Sequence, residues 1–275
     1  GLLPGVKGDV PAATADAKGT QPEQKIKTET IPEVPLTEPQ LEIMLAAQVS
    51  DEAACAFNES FRLNLEGALD TGVLQRAWQS VLDRHDALRM SLVPARDKMR
   101  VHPGRIISIE EVDLSGNSSS AQQKSLETMI AAEGIQPFDL VQGPLVRAQL
   151  LMLAPENHLL LVTAHHLICD GWTVNLMVDE LGQTYSAMLR NSSPEAALVL
   201  SFSEYAMQVQ QAEWRGQEKK DLAYWKQKLT PEPEVLTLPS DRNRSGVRSF
   251  AGSTYFAEFP KEFATSLRKT GAQAG

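Results

Sequence analysis

Apolar residues recur at the spacing of a helix along much of the chain. Between residues 70 and 88 they stand three or four positions apart, which places them on one face of a helix. In the segment 36–50, Thr37 is a suitable helix cap and Pro39 suits the first turn, so a helix is predicted there as well. The remaining predicted helices lie within 120–135, 172–189, 202–214, 217–229 and 261–271.

Other segments carry the patterns of strands. In 56–69 the apolar side chains alternate along the chain, which is typical of a strand with one buried face. Two strands joined by a turn are predicted at 145–153 and 158–165, and the second is apolar on both faces, as in the middle of a covered sheet. Together these elements predict a two-layer α/β fold with helices packed on a mixed sheet. Shorter strands are predicted within 88–93, 99–103, 107–114 and 253–259.

Residues 1–35 differ in composition from the rest of the chain. They are rich in Pro, Gly, Ala, Thr and charged residues and have no apolar period, which is typical of an interdomain linker. We therefore predict a linker over 1–35, a globular lobe over 36–260 and the start of a truncated second lobe over 261–275. Because the chain begins with Gly1 rather than Met and has no signal-peptide pattern, we interpret it as a piece of a longer protein.

Charge and composition argue against several functional classes. The chain has 26 Lys and Arg residues against 35 Asp and Glu residues, a net charge of -9, and no basic stripe, so we expect no nucleic-acid partner. The longest apolar run, 145–164, is interrupted by charged residues and a proline, so we expect no membrane span. Cys55 and Cys169 match no zinc spacing and are interpreted as free thiols of a cytoplasmic protein.

The strongest indication of chemistry is the sequence TAHHLICDG, in which His165 and His166 end the predicted buried strand. Neighbouring side chains of a strand point to opposite faces, so we expect one ring in the core and the other in a cleft, which argues against a metal site built on both. A histidine in the cleft would act as a base or as a hydrogen-bonding group. The alternative interpretation is that both histidines have structural roles only. Asp170 can bond the backbone, a ring nitrogen or an arginine, while Gly171 permits a turn of the backbone. No Gly-x-Ser-x-Gly sequence is present, so a serine triad is not predicted.

Four motifs resemble, in the right order, those of the condensation domains of nonribosomal peptide synthetases. The sequence HHLICDG is similar to their HHxxxDG signature, which chloramphenicol acetyltransferase and other acyltransferases of its fold share. The other three resemble the opening Ser/Thr-x-Ala-Gln motif, the Arg-His-Glu-x-Leu-Arg motif and the Tyr-x-Asp-Tyr-Ala motif, with Pro39, Asp86, Phe202 and Glu204 in place of the usual residues. These motifs lie at 36–44, 84–92 and 202–210, and the resemblance covers residues 36 to about 260.

The resemblance implies an enzyme with a chloramphenicol acetyltransferase-like lobe. Condensation domains join two substrates that are held as thioesters on the phosphopantetheine arms of carrier proteins, and the product is an amide. The arms enter a tunnel between two lobes from opposite ends. No cofactor and no metal ion is expected to bind the domain directly. Because the second lobe closes the tunnel, we expect little or no turnover from this chain alone.

The resemblance also assigns roles to single residues. His166 is implied as the catalytic residue that faces the tunnel, either as a general base or as a group that positions the amine. Asp170 is expected to form a structural salt bridge with an arginine, for which Arg84 of the second motif is the candidate. A solvated helix end is the alternative for the two arginines of that motif. The further supporting residues are His165, Gly171 and Arg89.

The implied partners are upstream and downstream acyl or peptidyl carrier proteins and the adjacent synthetase domains, whether the upstream module is of the peptide or the polyketide type. Epimerisation domains of the same synthetases share the HHxxxDG motif and are the first alternative, although Gln40, Arg84 and Arg89 favour condensation. A non-catalytic, condensation-like docking module is the second alternative, and the intact histidine motif argues against it. A free-standing acyltransferase is the third, and the predicted linker argues against it.

Overall fold

The computed structural model describes residues 33–192, 200–234 and 257–274, together with the single positions 236, 239 and 250. The strands in these residues are β1 (Glu33–Pro35), β2 (Asn58–Glu66), β3 (Met90–Leu92), β4 (Lys98–Val101), β5 (Ile109–Asp113), β6 (Val146–Ala154) and β7 (Asn157–His165). The α-helices are α1 (Glu38–Ala47), α2 (Asp51–Cys55), α3 (Thr71–Arg84), α4 (Ser119–Ile135), α5 (Gly171–Leu189), α6 (Phe202–Gln208), α7 (Ala212–Lys228) and α8 (Lys261–Ala274). A short 3₁₀ segment, Asp86–Arg89, follows α3.

The larger sheet has four strands in the order β2–β7–β6–β5. β7 lies between β2 and β6 and is antiparallel to both, whereas β5 is parallel to β6, so the sheet is mixed. Every residue of β7 except Asn157 is buried. The predicted α/β fold with a mixed sheet is therefore confirmed, and so is the prediction that the strand before the two histidines lies inside the sheet.

Helices cover both faces of this sheet because its central strands are apolar on both faces. Leu160 and Val162 of β7 belong to the main core, to which α3 and α5 contribute most of the helical side chains. Leu159 and Leu161, which alternate with them along the strand, pack in a second core with apolar residues of α4. His165 follows the register of this second pair, so the end of β7 directs its ring away from the side of the sheet that α5 covers.

The smaller sheet consists of β1, β4 and β3, in that order. Val34 of β1 is buried in the main core, and Glu33 forms ion pairs with Arg96 at 3.4 Å and Arg100 at 3.0 Å. The strand Glu33–Pro35 is therefore part of the folded lobe, and the predicted linker ends too late in the sequence. The rest of that linker, residues 1–32, lies outside the described residues.

One further element differs from the sequence prediction, and another cannot be compared with it. The short helix α2 was not predicted; it begins where the Ser50 hydroxyl accepts a hydrogen bond from the Ala53 amide at 3.1 Å. The strand predicted at 253–259 lies largely outside the described residues. Helix α8 is present as predicted and buries none of its side chains, and its assignment to a second lobe stays a prediction. None of the described helices is long and apolar enough to cross a bilayer.

Candidate functional site

The two histidines of the motif lie where β7 leaves the sheet. The His165 amide donates to the Leu145 carbonyl at 2.9 Å, and the His166 amide donates to the Phe57 carbonyl at 2.8 Å. The segments that lead into β6 and β2 therefore both hold this corner of the chain. His165 is fully buried, whereas the side chain of His166 is 36% exposed. The prediction that one ring enters the core and the other a cleft is confirmed.

The ring of His165 is a neutral part of the core. It lies 6.1 Å from the rings of Phe57 and Phe138, and its Nδ1 accepts a hydrogen bond from the Leu167 amide at 3.1 Å. Its Nε2 has no partner among the described residues. Burial, with a smaller contribution from His166, lowers the pKa of His165 to about 4. The ring therefore stays uncharged at neutral pH and shapes the turn before the cleft.

The ring of His166 is held in one orientation by the loop that follows it. Its Nδ1 lies 2.7 Å from the Cys169 carbonyl oxygen and 3.7 Å from Oε1 of Glu59. Because a carbonyl oxygen can only accept, the Nδ1 of His166 carries the proton in this bond. In the neutral ring, Nε2 then keeps its lone pair and can accept a hydrogen bond or a proton from a ligand.

His166 forms part of the wall of a cavity of about 730 Å³. The wall is built from the N-terminus of α1, the 3₁₀ segment, the loop after β7 and the first turns of α5 and α6. Most of the lining side chains are apolar, and the exceptions include two imidazoles, His85 and His166, and two carboxylates, Asp86 and Asp170. None of the described lining residues is a lysine or an arginine. A cavity of this size and lining suits a small organic ligand that is neutral or cationic.

Asp170 caps helix α5 and pairs with none of the arginines that the structure describes. Its Oδ1 accepts hydrogen bonds from the backbone amide and the hydroxyl of Thr173, at 2.8 and 2.7 Å. These bonds, the backbone bond first, hold the pKa of the Asp170 carboxyl below its usual value. The expected salt bridge with Arg84 is wrong, because the Arg84 Nε lies 3.5 Å from Oε1 of Glu180 instead. The positive end of a helix takes the place of the arginine.

Gly171 does not occupy a position that requires glycine. Gly171 is the first residue of α5, its φ is not positive, and a β-carbon there would meet no heavy atom within 4 Å. The structure thus does not show the expected turn that depends on glycine.

Arg89 lies away from the cavity wall and connects two elements of the lobe. It donates to the carbonyl oxygens of Leu82, Asp83 and His102 at 2.9, 3.0 and 3.1 Å, and it therefore ties the end of α3 to the end of β4.

Gln40 of the first motif is buried and contacts the histidine loop. Its Nε2 donates to the Leu167 carbonyl at 3.0 Å, and its Oε1 accepts from the amide and the hydroxyl of Thr37 at 3.1 and 3.2 Å. The residue that follows His166 is thereby fixed to the start of α1. The sequence indicated that Gln40 belongs to a motif, but no pattern in the sequence indicated its partner.

Asp86 of the second motif contacts the fourth motif. Its carboxylate accepts hydrogen bonds from the amides of Phe202 and Ser203 at 2.9 and 3.0 Å, and also from the Ser203 hydroxyl. Asp86 therefore holds the first turn of α6 against the 3₁₀ segment, where both form the cavity wall. Although aspartate is shorter than the glutamate that is usual at this position of the motif, the side chain of Asp86 reaches both amides.

Glu180 was missed in the sequence. It lies on α5 three residues after the buried Met177 and four residues before the buried Thr184, and its side chain is only 14% exposed. Its Oε2 lies 2.8 Å from Nε2 of His85. An acidic residue within the apolar face of a helix was the signal that could have identified it, since such a group requires a partner.

The described part of the cavity offers neither a reactive thiol nor a metal site. Burial, with smaller effects of Asp170 and Glu59, raises the pKa of the Cys169 thiol to about 12, so this thiol is a poor nucleophile. Among the residues that the structure describes, no three His, Cys, Asp or Glu side chains are arranged to hold a metal ion.

Comparison with known proteins decides the family. A family model described as "Condensation domain" matches residues 31–275. The chain belongs to the condensation domain family. Tyrocidine synthase 3 of Brevibacillus parabrevis is 34% identical over 239 residues, which cover 83% of this chain and 3% of that protein. Malpibaldin synthetase of Mortierella alpina is 35% identical over 199 residues, which cover 70% of this chain and 4% of that protein.

Solved structures of this family share the fold. The starter condensation domain of rhizomide synthetase RzmA is similar with a TM-score of 0.66 and 26% identity, over 74% of this chain and 49% of that chain. The X-domain in the complex of X-domain and OxyB from teicoplanin biosynthesis has a TM-score of 0.66 and 28% identity, over 84% and 49% of the two chains. The expected chloramphenicol acetyltransferase-like fold of a condensation domain is therefore confirmed. The chain spans about half the length of these two solved chains and less than a tenth of the length of the two synthetases.

Proposed function

We propose that this condensation domain forms an amide between an acyl or peptidyl donor and an aminoacyl acceptor, both held as thioesters on the phosphopantetheine arms of carrier proteins. The position of His166 carries the proposal. Its ring lines a cavity large enough for the reacting groups, with Nδ1 bonded to the Cys169 carbonyl and Nε2 left as an acceptor. The synthetase relatives and the family model supply the class of reaction.

In the proposed reaction the acceptor amine attacks the carbonyl carbon of the donor thioester. A C–N bond forms, the C–S bond breaks, and the donor arm leaves as a thiol that takes up the proton lost by the nitrogen. The Nε2 of His166 accepts a hydrogen bond from the attacking amine, or its proton where the amine arrives charged. Because Nδ1 is fixed by the Cys169 carbonyl at 2.7 Å, Nε2 keeps one direction in the cavity, which favours one approach of the amine.

The proposal includes partners and a location. The partners are the upstream and downstream carrier proteins and the neighbouring synthetase domains, and the phosphopantetheine arms belong to the carriers. No resident cofactor is proposed. Cys55 and Cys169 are free thiols, in keeping with the proposed cytoplasmic location.

The test uses the full-length protein that contains this chain, with an acyl-loaded donor carrier and an aminoacyl-loaded acceptor carrier. Mass spectrometry of the acceptor arm should show the amide, and its rate of formation should fall about 100-fold or more in the His166→Ala variant. His102→Gln is the matched control, since His102 bonds the Ser91 hydroxyl at 2.8 Å and is not part of the described cavity wall. Equal rates in the two variants would exclude the role of His166, and the absence of amide from the wild type would exclude the proposed reaction.

A docking module is the second candidate, because the chain is also similar to the X-domain that is in complex with OxyB. Binding of a carrier or of a tailoring enzyme without amide formation would support it. Loss of α-deuterium from a labelled substrate without amide would instead indicate epimerisation. The same assay on residues 1–275 alone tests the expectation of little or no turnover from this chain.

A further inference from the structure

A second histidine lines the cavity that contains His166. His85 follows the last residue of α3 and is one of the residues that line the cavity. Its Nε2 lies 2.8 Å from Oε2 of Glu180, and the two side chains are only 13% and 14% exposed. Since a carboxylate can only accept, the Nε2 of His85 is the donor in this bond. In the neutral ring, Nδ1 therefore keeps the lone pair.

The Nδ1 of His85 is available to a ligand. It makes no hydrogen bond to any of the described residues, and it is not one of the fully enclosed polar atoms that lack a partner there. Because His85 lines the cavity, a molecule that occupies the cavity can donate a hydrogen bond to this nitrogen. His85 and His166 thus resemble each other: in each ring one nitrogen is bonded to the protein and the other keeps an unused lone pair.

Glu180 is itself fixed, so the ring of His85 has a defined direction. Oε1 of Glu180 lies 3.5 Å from the Arg84 Nε, while Oε2 contacts the ring. The carboxylate is therefore held between a guanidinium and an imidazole from the end of α3. A ring that is oriented by a buried, paired carboxylate loses little freedom when it bonds a ligand.

We propose that His85 is a second residue that contacts the substrate, and that its Nδ1 accepts a hydrogen bond from the amino group of the acceptor. This inference rests on the proposed function, since the amine is the N–H donor that this reaction brings into the cavity. An ammonium group has three N–H donors, so two imidazole acceptors can hold it while the nitrogen approaches the thioester. The carboxylates Asp86 and Asp170, and the lack of a lysine or arginine in the described wall, also suit a group that arrives with a positive charge.

Two variants of His85 separate this role from a structural one. In His85→Gln the amide nitrogen reaches the position of Nε2 and keeps a donor for Glu180, but no acceptor stands at the position of Nδ1. In His85→Asn the amide oxygen stands near the position of Nδ1 as an acceptor, but the contact with Glu180 is lost. If His85 has only a structural role, kcat/KM for the acceptor should be higher in His85→Gln than in His85→Asn. If His85 contacts the substrate, kcat/KM should be higher in His85→Asn.

The assay measures amide formation by the full-length protein against the concentration of aminoacyl-loaded carrier, with Tm as the measure of folding. We expect kcat/KM for the acceptor to fall about 10- to 100-fold in His85→Gln with Tm unchanged, and to fall less in His85→Asn although its Tm is lower. Wild-type rates in His85→Gln, or losses that follow Tm, would overturn the inference without affecting the proposed amide formation.

A binding measurement keeps the inference testable where the wild type forms no amide. Glycyl pantetheine amide, a stable analogue of the aminoacyl arm, is titrated into the protein, and the ring nitrogens of His85 are followed by ¹⁵N NMR. We expect the Nδ1 resonance to move with glycyl pantetheine amide and to stay in place with its N-acetyl derivative, which lacks the ammonium group. Equal responses to both compounds, or none to either, would overturn the contact between His85 and the amine.

Discussion

The side-chain amide of Gln40 donates to the backbone carbonyl of Leu167 at 3.0 Å, across a separation of 127 residues. Gln40 is buried, and its oxygen accepts from both the amide and the hydroxyl of Thr37. The start of α1 is therefore fixed to the residue that follows His166. Since the His166 ring is oriented by the loop that begins there, Gln40 supports the proposed catalytic group through the backbone of that loop.

Replacement of Gln40 by leucine should destabilise the lobe. Gln40→Leu removes the partners of the Leu167 carbonyl and of the Thr37 amide while it keeps a side chain of similar size, so we expect the free energy of unfolding to fall by about 1–3 kcal/mol. Urea-induced unfolding measures this change. Gln123→Leu is the matched control: Gln123 is exposed on α4 and bonds only Glu127, so we expect a change within about 0.5 kcal/mol. Similar losses in both variants would show that the contact with Leu167 contributes nothing.

The sequence predicted the elements better than the contacts between them. The helical period around Trp78 and the two apolar faces of the segment 158–165 were sufficient for α3 and β7, because burial on one or both faces leaves a periodic pattern. The opposite environments of His165 and His166 followed from the alternation of side chains along a strand.

The partners of the polar side chains could not be predicted in the same way. Either a helix N-terminus or an arginine satisfies a carboxylate, so the residues around Asp170 did not decide between Thr173 and Arg84. The pairing of His85 with Glu180 joins the residue that follows α3 to a residue of α5, 95 positions further along the chain, and no local pattern encodes it. Such contacts form only when whole helices and strands pack against each other, so the local pattern of residues does not predict them.

Arg84 should be coupled to Glu180 and not to Asp170. The Arg84 Nε lies 3.5 Å from Oε1 of Glu180, and both side chains are largely buried. In a double-mutant cycle of Arg84→Met with Glu180→Gln we expect a coupling free energy of about 0.5–1 kcal/mol, measured by urea unfolding. The same cycle with Asp170→Asn should give changes that add within about 0.5 kcal/mol. A larger coupling of Arg84 to Asp170 than to Glu180 would restore the salt bridge expected from the sequence.

The contribution of Asp170 to stability should depend on acid pH. The hydrogen bonds from Thr173 lower the pKa of the Asp170 carboxyl in the folded protein, so the carboxylate stabilises the fold above the ordinary aspartate pKa of about 3.9. This stabilisation is lost as the pH falls through the lowered pKa. Asp170→Ala should reduce the free energy of unfolding by about 1 kcal/mol at pH 7 and by less near pH 2. Asp170→Asn keeps an oxygen at the cap but does not titrate, so the difference between its free energy of unfolding and that of the wild type isolates the effect of the charge. If this difference stayed constant from pH 7 to pH 2, the prediction would be wrong.

His165 should weaken the fold as the solution becomes mildly acidic. Burial lowers the pKa of His165 to about 4 in the folded protein, whereas a histidine in the unfolded chain has a pKa near 6.5. Between these values only the unfolded state binds the proton, so stability is complete above about pH 6.5 and falls as the pH drops towards 4, by up to about 3 kcal/mol. His165→Asn keeps an acceptor near the Leu167 amide and removes the titrating ring, so its free energy of unfolding should fall less steeply over this range. NMR titration of the wild type provides the direct check, because the His165 ring should remain neutral at pH 5, and titration of this ring near pH 6.5 would show that its burial does not exclude the charged form.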